Sequence, residues 1–266
     1  MSFEHHSVVS LKDENWITKQ RLAGACVAEC LSLAEDMVLN GGISGKDIEA
    51  ACVQVMKNHD CTATFLNYKN SFPASICLSI NKQMVHGIPT DEKIKDTDVV
   101  KVDLGATYQE AIADSAITVC KSPGIHKEMI NACQESLYNG IQQISLNKRL
   151  GSIGSGIAYV AKKYKYGLIT NYGGHGLDWN KPHSEPFVAN KDQSKNGIRF
   201  QSGMTLAIEP MLTMSNTKTR VLSDGWTVVT DSVSAHWEHT IFIHADRIEL
   251  MTHRIKEKVA REIKFS

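Results

Sequence analysis

The chain carries no excess of charge of either sign and no long uninterrupted apolar run. Its 266 residues include 29 Lys and Arg against 29 Asp and Glu, a formal net charge of +0. A neutral chain lacks the positive excess with which proteins bind nucleic acid or anionic membranes. The longest apolar stretches, such as residues 25–39, are interrupted by acidic residues, which argues against a transmembrane helix. We therefore expect no nucleic-acid partner and no membrane partner.

The sequence also lacks the usual features of export and of thiolate metal sites. Glu4, His5 and His6 stand where a signal peptide would have a basic start and an apolar run. The seven cysteines are odd in number, and no two form a C-x-x-C pair, which disfavours a disulfide framework or a thiolate zinc module. We expect a cytoplasmic protein in which most cysteines are small, buried apolar residues.

The order of the predicted elements indicates an α+β fold. Apolar residues at helical spacing predict one long helix over residues 13–39, ended by Gly41 and Gly42. Ser44 with Asp47 predicts the start of a second helix that runs to about Asn58. Further helices are predicted over residues 126–146 and 156–163, and strands over residues 76–80, 99–104, 116–120, 204–212, 226–230 and 240–244. This order suggests two related halves in one fold.

Five ionisable residues stand in apolar or small-residue surroundings, where an isolated charge is costly. They are Asp103, Asp114, His175, Glu209 and Glu238. A buried carboxylate without a partner loses its charge through a raised pKa, and a divalent cation relieves that cost. Four carboxylates and one imidazole suit two metal ions that share bridging oxygens. Taken singly, however, an acidic residue at a strand end more often forms a turn or an ion pair, so these residues alone do not specify a reaction.

Six short blocks of the sequence resemble the type I methionine aminopeptidases, which are pita-bread metallopeptidases. They occur in family order and are Ser75 to Asn81 with Val85-His86-Gly87-Ile88-Pro89, Val102-Asp103-Leu104 with Asp114 eleven residues later, Gly174-His175-Gly176, Ile208-Glu209-Pro210-Met211, Asp224-Gly225-Trp226-Thr227-Val228, and Glu238-His239-Thr240-Ile241. The resemblance extends from about Lys12 to Arg254. It implies a pseudo-twofold pita-bread domain with a central antiparallel sheet over residues 13–266, after an N-terminal tail over residues 1–12.

The resemblance implies a role for each matched residue. Asp103 would chelate one metal ion, Asp114 and Glu238 would bridge both, and His175 and Glu209 would bind the second. Glu209 would also act as the general base. His183 would stabilise the tetrahedral intermediate, and His86 would position the substrate and assist proton transfer. Both histidines would contact the substrate, and the wall of the methionine pocket would consist of Cys77, Phe72, Tyr68 and Trp226.

These roles imply a metallo-exopeptidase that removes an N-terminal methionine when the second residue is small. Two divalent metal ions would be needed, with Co, Mn, Fe and Zn all compatible with the ligand types. The substrates would be the N-termini of nascent polypeptides. The family role further implies a monomer that works close to the ribosome.

The sequence departs from the type I pattern near the two predicted site histidines. The segment from His175 to His183 is one residue longer than usual, and Pro182 stands where the family has Phe. Trp179 is our candidate for the missing aromatic. Ala207 also occupies a position where Thr is common. These departures affect the expected shape of the pocket and the pose of His183, and they leave the predicted metal ligands unchanged.

Two other interpretations remain open at this point. A sister enzyme on the same fold cleaves before proline with the same five ligands, but it usually carries an additional N-terminal domain, whereas here the fold is expected to begin near Asp13. Some pita-bread proteins have instead lost ligands and bind RNA or protein without catalysis. The presence of all five ligands together with His86 and His183 argues against such a binding protein. The long insertion of type II enzymes has no room, because Glu209 and Glu238 are only 29 positions apart.

Overall fold

A computed structural model describes residues 9–265 of the chain, so residues 1–8 of the predicted tail and residue 266 lie outside the described residues. The helices are α1 (Glu14–Asn40), α2 (Gly45–Asn58), α3 (Lys127–Gln142) and α4 (Gly151–Tyr164). The strands are β1 (Thr62–Ala63), β2 (Cys77–Ile80), β3 (Gln83–Val85), β4 (Val100–Tyr108), β5 (Ala111–Val119), β6 (Gly167–Leu168), β7 (Gly173–Asp178), β8 (Lys181–Ala189), β9 (Thr205–Ile208), β10 (Met211–Thr213), β11 (Thr219–Val221), β12 (Val228–Thr230), β13 (Ser234–His236), β14 (His239–Ile243), β15 (Arg247–Leu250) and β16 (Glu262–Lys264). In the described part of the chain, no helix is long and apolar enough to cross a membrane.

Capping side chains determine where the first two helices begin. The carboxylate of Asp13 accepts a hydrogen bond from the backbone N–H of Trp16 at 2.9 Å. Ser44 and Asp47 form a reciprocal capping box at the start of α2. Helix α1 ends at Gly41, whose φ of 79° favours glycine. Both helices therefore lie where the sequence predicts them.

Each half of the molecule consists of two helices packed on an antiparallel sheet. In the N-terminal half, α1 and α2 cover a sheet of order β1-β4-β2, in which β5 also pairs with β4. In the C-terminal half, α3 and α4 cover a sheet of order β16-β15-β14-β9-β7-β8. Two smaller sheets, β13-β10-β6 and β11-β12-β3, complete the described strands. The predicted α+β fold of two related halves is confirmed.

Hydroxyl groups join the two halves at the centre of the molecule. The side chain of Thr240 accepts a hydrogen bond from the Asp114 N–H at 2.9 Å and donates one to the Asp114 carbonyl at 2.7 Å. Ser115 donates a short hydrogen bond to the carbonyl of Glu238, whose own N–H donates to the carbonyl of Ala116 at 2.9 Å. These hydrogen bonds hold the backbone of Asp114, in the first half, beside the backbone of Glu238, in the second half.

Several predicted elements have different bounds in the structure, and one hairpin was not predicted. The strand predicted over residues 204–212 is divided into β9 and β10 around Glu209 and Pro210, because proline lacks an N–H for a continuous ladder. Helix α4 begins at Gly151 rather than Gly156, since the glycines in its first turns weaken the helical pattern. The helix predicted over residues 126–146 begins at Lys127 and ends at Gln142. The hairpin of β7 and β8 was not predicted, because its glycines and prolines weaken the strand pattern.

Candidate active site

The pairing of β4 with β5 brings the first two predicted metal ligands onto one face of a hairpin. Asp103 lies opposite Ala116, and Asp114 lies opposite Gly105. Residues two positions away from a direct cross-strand partner lie on the same face of the sheet, so Asp103 and Asp114 are diagonal neighbours. Both side chains are buried, with exposed fractions of 8% and 2%. The spacing of eleven residues therefore places two carboxylates together in the interior.

The pairing of β7, β9 and β14 brings the other three predicted ligands together. His175 lies opposite Ala207, which is two residues before Glu209. His239 lies opposite Ile208, so that Glu238 comes beside Glu209. The Nε2 atom of His175 is 3.6 Å from Oε1 of Glu209. The Nδ1 atom of His175 lies 3.1 Å from the carbonyl oxygen of Gly176, a contact that leaves Nε2 free to face the carboxylates.

The glycines beside His175 are required by the close approach of neighbouring strands. A Cβ atom at Gly174 would lie 2.1 Å from the carbonyl oxygen of Ala207. A Cβ atom at Gly176 would lie 2.1 Å from the carbonyl oxygen of Glu185. Any larger residue at either position would push β7 away from its neighbour, and His175 would move with it. The glycines of the Gly-His-Gly block thus allow the neighbouring strands to pack closely against β7, the strand that carries His175.

The four carboxylates carry more negative charge than the protein around them neutralises. Burial raises the pKa of Asp114 to about 7. Burial, and then the neighbouring carboxylates, raise the pKa values of Asp103, Glu209 and Glu238 well above their ordinary values. One carboxylate oxygen each of Asp103, Asp114 and Glu238 is buried and has no hydrogen-bond partner in the described part of the chain. Orphaned oxygens of this kind are suited to contact a cation.

Possible ligand atoms form overlapping groups, in each of which all atoms lie within 4.8 Å of one another. One group consists of Asp103, Asp114 and Glu238, a second of His175, Glu209 and Glu238, and a third of Asp114, His175 and His183. The first two groups share Glu238, and together they contain all five predicted ligands. Oxygen and imidazole donors of this type are suitable for divalent transition metals. The residues present therefore fit a centre for divalent metal.

The two predicted catalytic histidines, His86 and His183, line the same cavity as the ligand groups. His86 adopts a left-handed φ of 59°, a conformation that a non-glycine residue keeps only where its surroundings enforce it. Burial, and then the charge of Lys69, lower the pKa of His86 to about 4. His183 is open to the cavity, and its Nδ1 atom lies 2.7 Å from the hydroxyl oxygen of Tyr68. The surrounding protein desolvates the His183 ring and, with the neighbouring histidines and Lys69, lowers its pKa to about 3.

The predicted substrate pocket is an apolar chamber next to the carboxylates. The cavity has a volume of about 470 Å³, which is suitable for a small ligand. Its lining includes all four predicted pocket residues, Tyr68, Phe72, Cys77 and Trp226. It also includes Phe65, which sequence reasoning missed because a lone aromatic in a loop carries no distinguishing pattern. The rings of Phe72 and Trp226 pack edge to face at 5.2 Å between centroids.

A turn built by Asp224 orients the Trp226 wall of the chamber. The Asp224 carboxylate accepts hydrogen bonds from the N–H groups of Trp226 and Thr227, both at 2.9 Å. It also accepts a hydrogen bond from the Thr227 hydroxyl at 2.6 Å. Gly225 supplies a φ of 78° within the turn. The Asp-Gly-Trp-Thr block thus forms a tight turn that orients the indole ring of Trp226 toward the chamber.

His236 is a second residue that sequence reasoning missed. Its ring is buried, and its Nε2 atom lies 3.4 Å from Oε2 of Glu209. Among the described residues, neither ring nitrogen has a hydrogen-bond partner. Burial lowers the pKa of His236 to about 3, so the ring is neutral near pH 7. Its position two residues before Glu238, in the Ala-His-Trp-Glu block, was the only signal that could have identified it.

Trp179 does not replace the missing aromatic of the pocket, so that prediction was wrong. Its ring is not part of the cavity lining. It packs instead edge to face on Trp16 at 4.6 Å between centroids. Pro182 is buried and does not line the cavity either, whereas Phe187 does. Strand β8 thus contributes Phe187 to the cavity lining.

Comparisons with known proteins agree with this geometry. A family model described as metallopeptidase family M24 matches residues 18–245. The chain therefore belongs to metallopeptidase family M24, whose members are metal-dependent peptidases.

Its close relatives within that family are methionine aminopeptidases. The chain is 40% identical over 247 residues to the methionine aminopeptidase of Aquifex aeolicus, with 88% of this chain and 95% of the relative covered. The crystal structure of the methionine aminopeptidase from Thermotoga maritima matches with a TM-score of 0.88 and 32% identity, covering 93% of this chain and all of the other. The predicted resemblance is confirmed, and the chain is a metallo-exopeptidase of the methionine aminopeptidase group.

A more distant match concerns the fold alone. A prolidase from Pyrococcus furiosus matches with a TM-score of 0.72 at 17% identity, covering 92% of this chain and 66% of the prolidase. At that identity the match establishes a shared fold, and it carries no information on substrate.

Proposed function

We propose that this chain removes the N-terminal methionine from polypeptides whose second residue is small, and that it does so with two divalent cations. The observation that carries the proposal is the position of two overlapping ligand groups beside an apolar chamber. The similarity to methionine aminopeptidases over most of the chain supports the choice of methionine as the first residue.

In this proposal, five residues hold the two cations. The ligands are Asp103, Asp114, His175, Glu209 and Glu238, with Glu238 common to both groups that contain three of them. When bound, such cations lower the pKa of a water molecule and polarise the carbonyl of the scissile peptide. Cobalt, manganese, iron and zinc all suit these ligands, and availability in the cell decides among them.

The side chains around the ligands perform the remaining steps. Glu209 is half-buried and lies next to both ligand groups, which suits it to take a proton from the attacking water and deliver it to the leaving amine. His183 is held by the hydroxyl of Tyr68 and faces the cavity, which suits it to donate to the oxygen of the tetrahedral intermediate. The pKa values of His86 and His183 lie below neutrality, so each neutral ring retains one N–H for such a contact.

The chamber selects the first side chain of the substrate. Phe72, Cys77 and Trp226 form an apolar wall, to which a flexible thioether side chain can adapt. Burial and the nearby acidic groups raise the pKa of Cys77 well above its ordinary value, so it contributes an uncharged thiol to this wall. A charged or branched first residue would leave unpaired polar atoms or empty volume there.

One pair of peptides tests the substrate assignment. The manganese-loaded protein should remove methionine from Met-Ala-Ser and leave Met-Leu-Ser largely intact, because only a small second residue fits beside the cations. Mass spectrometry of the products would detect the loss of one methionine residue. Equal cleavage of both peptides would contradict the proposed selectivity, and cleavage of neither would contradict the activity.

Two finer aspects of the proposal concern the setting in which the protein works. The family role supports action on nascent polypeptides close to the ribosome, with the chain acting as a monomer. Light scattering of the purified protein would test the monomer. Co-sedimentation with ribosomes that carry nascent chains would test the association.

A further inference from the structure

The hairpin that carries His175 and His183 is held at its turn by three other parts of the molecule. We name residues 178–180, at the turn between β7 and β8, the hairpin tip. Asp178 forms a short ion pair with Lys12, whose side chain is almost fully buried. Asn180 donates hydrogen bonds to the backbone carbonyl of Glu110 at 2.9 Å and to its carboxylate at 2.8 Å. Trp179 packs edge to face on Trp16, which is completely buried at the start of α1.

The hairpin itself gives His183 little support. Gly176 lies opposite Ser184, and Asp178 lies opposite Lys181. Between these two pairs β8 advances by three residues and β7 by only two, so the register is irregular here. His183 lies within this irregular stretch of β8. Pro182 and Pro186 on either side of it cannot donate ladder hydrogen bonds. Among the described strands, β8 is also at the edge of its sheet and pairs with β7 alone.

His175 is supported differently. Its strand β7 lies between β8 and β9, and His175 is directly paired with Ala207 on β9. A disturbance at the hairpin tip should therefore reach His183 before it reaches His175. The two histidines can therefore be distinguished by experiment. His175 is a proposed metal ligand, so its displacement would weaken metal binding, whereas His183 is proposed to contact the substrate, so its displacement would lower kcat.

We infer that Trp179 is a positioning residue that acts through His183: by packing on Trp16 it fixes the hairpin tip and thereby the pose of the His183 ring in the active site. Lys12 acts with it, since its ammonium group pairs with Asp178 and lies 4.8 Å from the centre of the Trp16 ring. Segment 10–16 is consequently part of the support of the active site, although it contributes no residue to the cavity lining. The inference rests on the proposed peptidase function.

Replacement of Trp179 by Ala in the full, manganese-loaded chain tests this role. Trp179 is 37% exposed, so its removal leaves the interior packing largely intact. With Met-Ala-Ser as substrate, kcat should fall about tenfold while KM stays within about twofold, because a displaced His183 weakens transition-state contacts rather than ground-state binding. Trp179→Phe retains an edge-to-face pair and should stay within about threefold of the wild-type kcat. Tyr159→Ala is the matched control, because it removes an exposed aromatic from α4, away from the hairpin.

Three further measurements separate positioning from general destabilisation. The double variant Trp179→Ala, His183→Ala should have the same kcat as His183→Ala alone, since a residue that acts through His183 has no effect once that ring is removed. The manganese dissociation constant of Trp179→Ala, measured by calorimetry, should equal that of the wild type. Hydrogen exchange of peptides from residues 176–188 should be faster in Trp179→Ala than in the wild type or Trp179→Phe. Lys12→Met, which breaks the ion pair at the same tip, should lower kcat in the same direction.

Each outcome has a definite consequence. An undiminished kcat in Trp179→Ala, or additive losses in the double variant, would contradict the inference. So would weakened manganese binding, because the effect would then pass through His175 or the carboxylates. Wild-type protein that releases no methionine would instead contradict the proposed function. An active wild type with an equally active Trp179→Ala would contradict only the positioning role.

Discussion

The Nε2 atom of His236 lies 3.4 Å from Oε2 of Glu209, and within residues 9–265 neither ring nitrogen has a hydrogen-bond partner. Glu209 also lies 3.6 Å from His175 through its other oxygen. The carboxylate proposed as the general base is thus flanked by two neutral imidazoles, one on each oxygen. This arrangement restrains the orientation of Glu209 and leads to two of the predictions below.

Replacement of Glu209 by Gln should nearly abolish turnover. The amide cannot accept the proton of the attacking water, and it is a weaker metal ligand than a carboxylate. Circular dichroism of the variant should match the wild type, because the two side chains have nearly the same shape. Hydrolysis of Met-Ala-Ser at a near-normal rate would contradict the proposed role of Glu209.

Replacement of His236 by Leu should lower kcat by about tenfold, because the imidazole that flanks Glu209 no longer restrains the orientation of the proposed base. The variant loses the imidazole beside Glu209 while keeping an apolar side chain in a buried space. His236→Gln, which can still direct an N–H toward Glu209, is the matched control and should retain most of the activity. Equal kcat values for the Leu variant and the wild type would mean that the His236 ring only fills space.

Replacement of His183 by Ala should lower kcat by about two to three powers of ten, if its N–H stabilises the oxyanion. Tyr68→Phe removes the hydroxyl that lies 2.7 Å from Nδ1 of His183. This smaller change should lower kcat by about two- to tenfold, as expected for one lost hydrogen bond. Steady-state kinetics on Met-Ala-Ser would measure both variants. A His183→Ala enzyme with wild-type kcat would mean that the extra residue between His175 and His183 has displaced this role.

Metal affinity should fall as the pH falls below about 7. The raised pKa of Asp114, about 7, means that below this pH its carboxyl holds a proton that a cation must displace. The raised pKa values of Asp103, Glu209 and Glu238 act in the same direction. His175 does not oppose the trend, since burial lowers its pKa to about 4 and the ring is already neutral.

Calorimetry of manganese binding in two buffers of different ionisation enthalpy would detect the released protons. The number of protons released should decrease as the pH rises through about 7, and Asp114→Asn should release fewer than the wild type. Binding that releases no protons between about pH 5.5 and 7.5 would contradict the high pKa values of the carboxylate cluster.

Much of the fold and the proposed site could be predicted from the sequence because the relevant signals are local. The caps at Asp13 and Ser44 determine where α1 and α2 begin. The pairing of β4 with β5 then follows from two apolar runs, and it brings Asp103 beside Asp114. The family motifs supplied the remaining candidates, and the structure brings all five proposed ligands into overlapping groups.

The remaining features depend on contacts between residues far apart in the chain, which no local pattern encodes. Trp179 packs on Trp16, more than 160 positions away, and sequence reasoning assigned it instead to the pocket. The contact of His236 with Glu209 arises because β13 pairs with β10, which places His236 opposite Met211, two residues after Glu209. The β7–β8 hairpin was missed because the glycines that allow its close packing also weaken its strand signal.

Hydrolysis of Met-Ala-Ser and Ala-Pro-Ala by the metal-stripped protein, with each divalent metal added back in turn, tests the central claim most directly. We predict that methionine is released from Met-Ala-Ser only after a metal is restored, and that Ala-Pro-Ala stays intact under every condition. Cleavage of Ala-Pro-Ala instead would assign the chain to the sister activity before proline. Cleavage of neither peptide by protein with bound metal would contradict the proposed function.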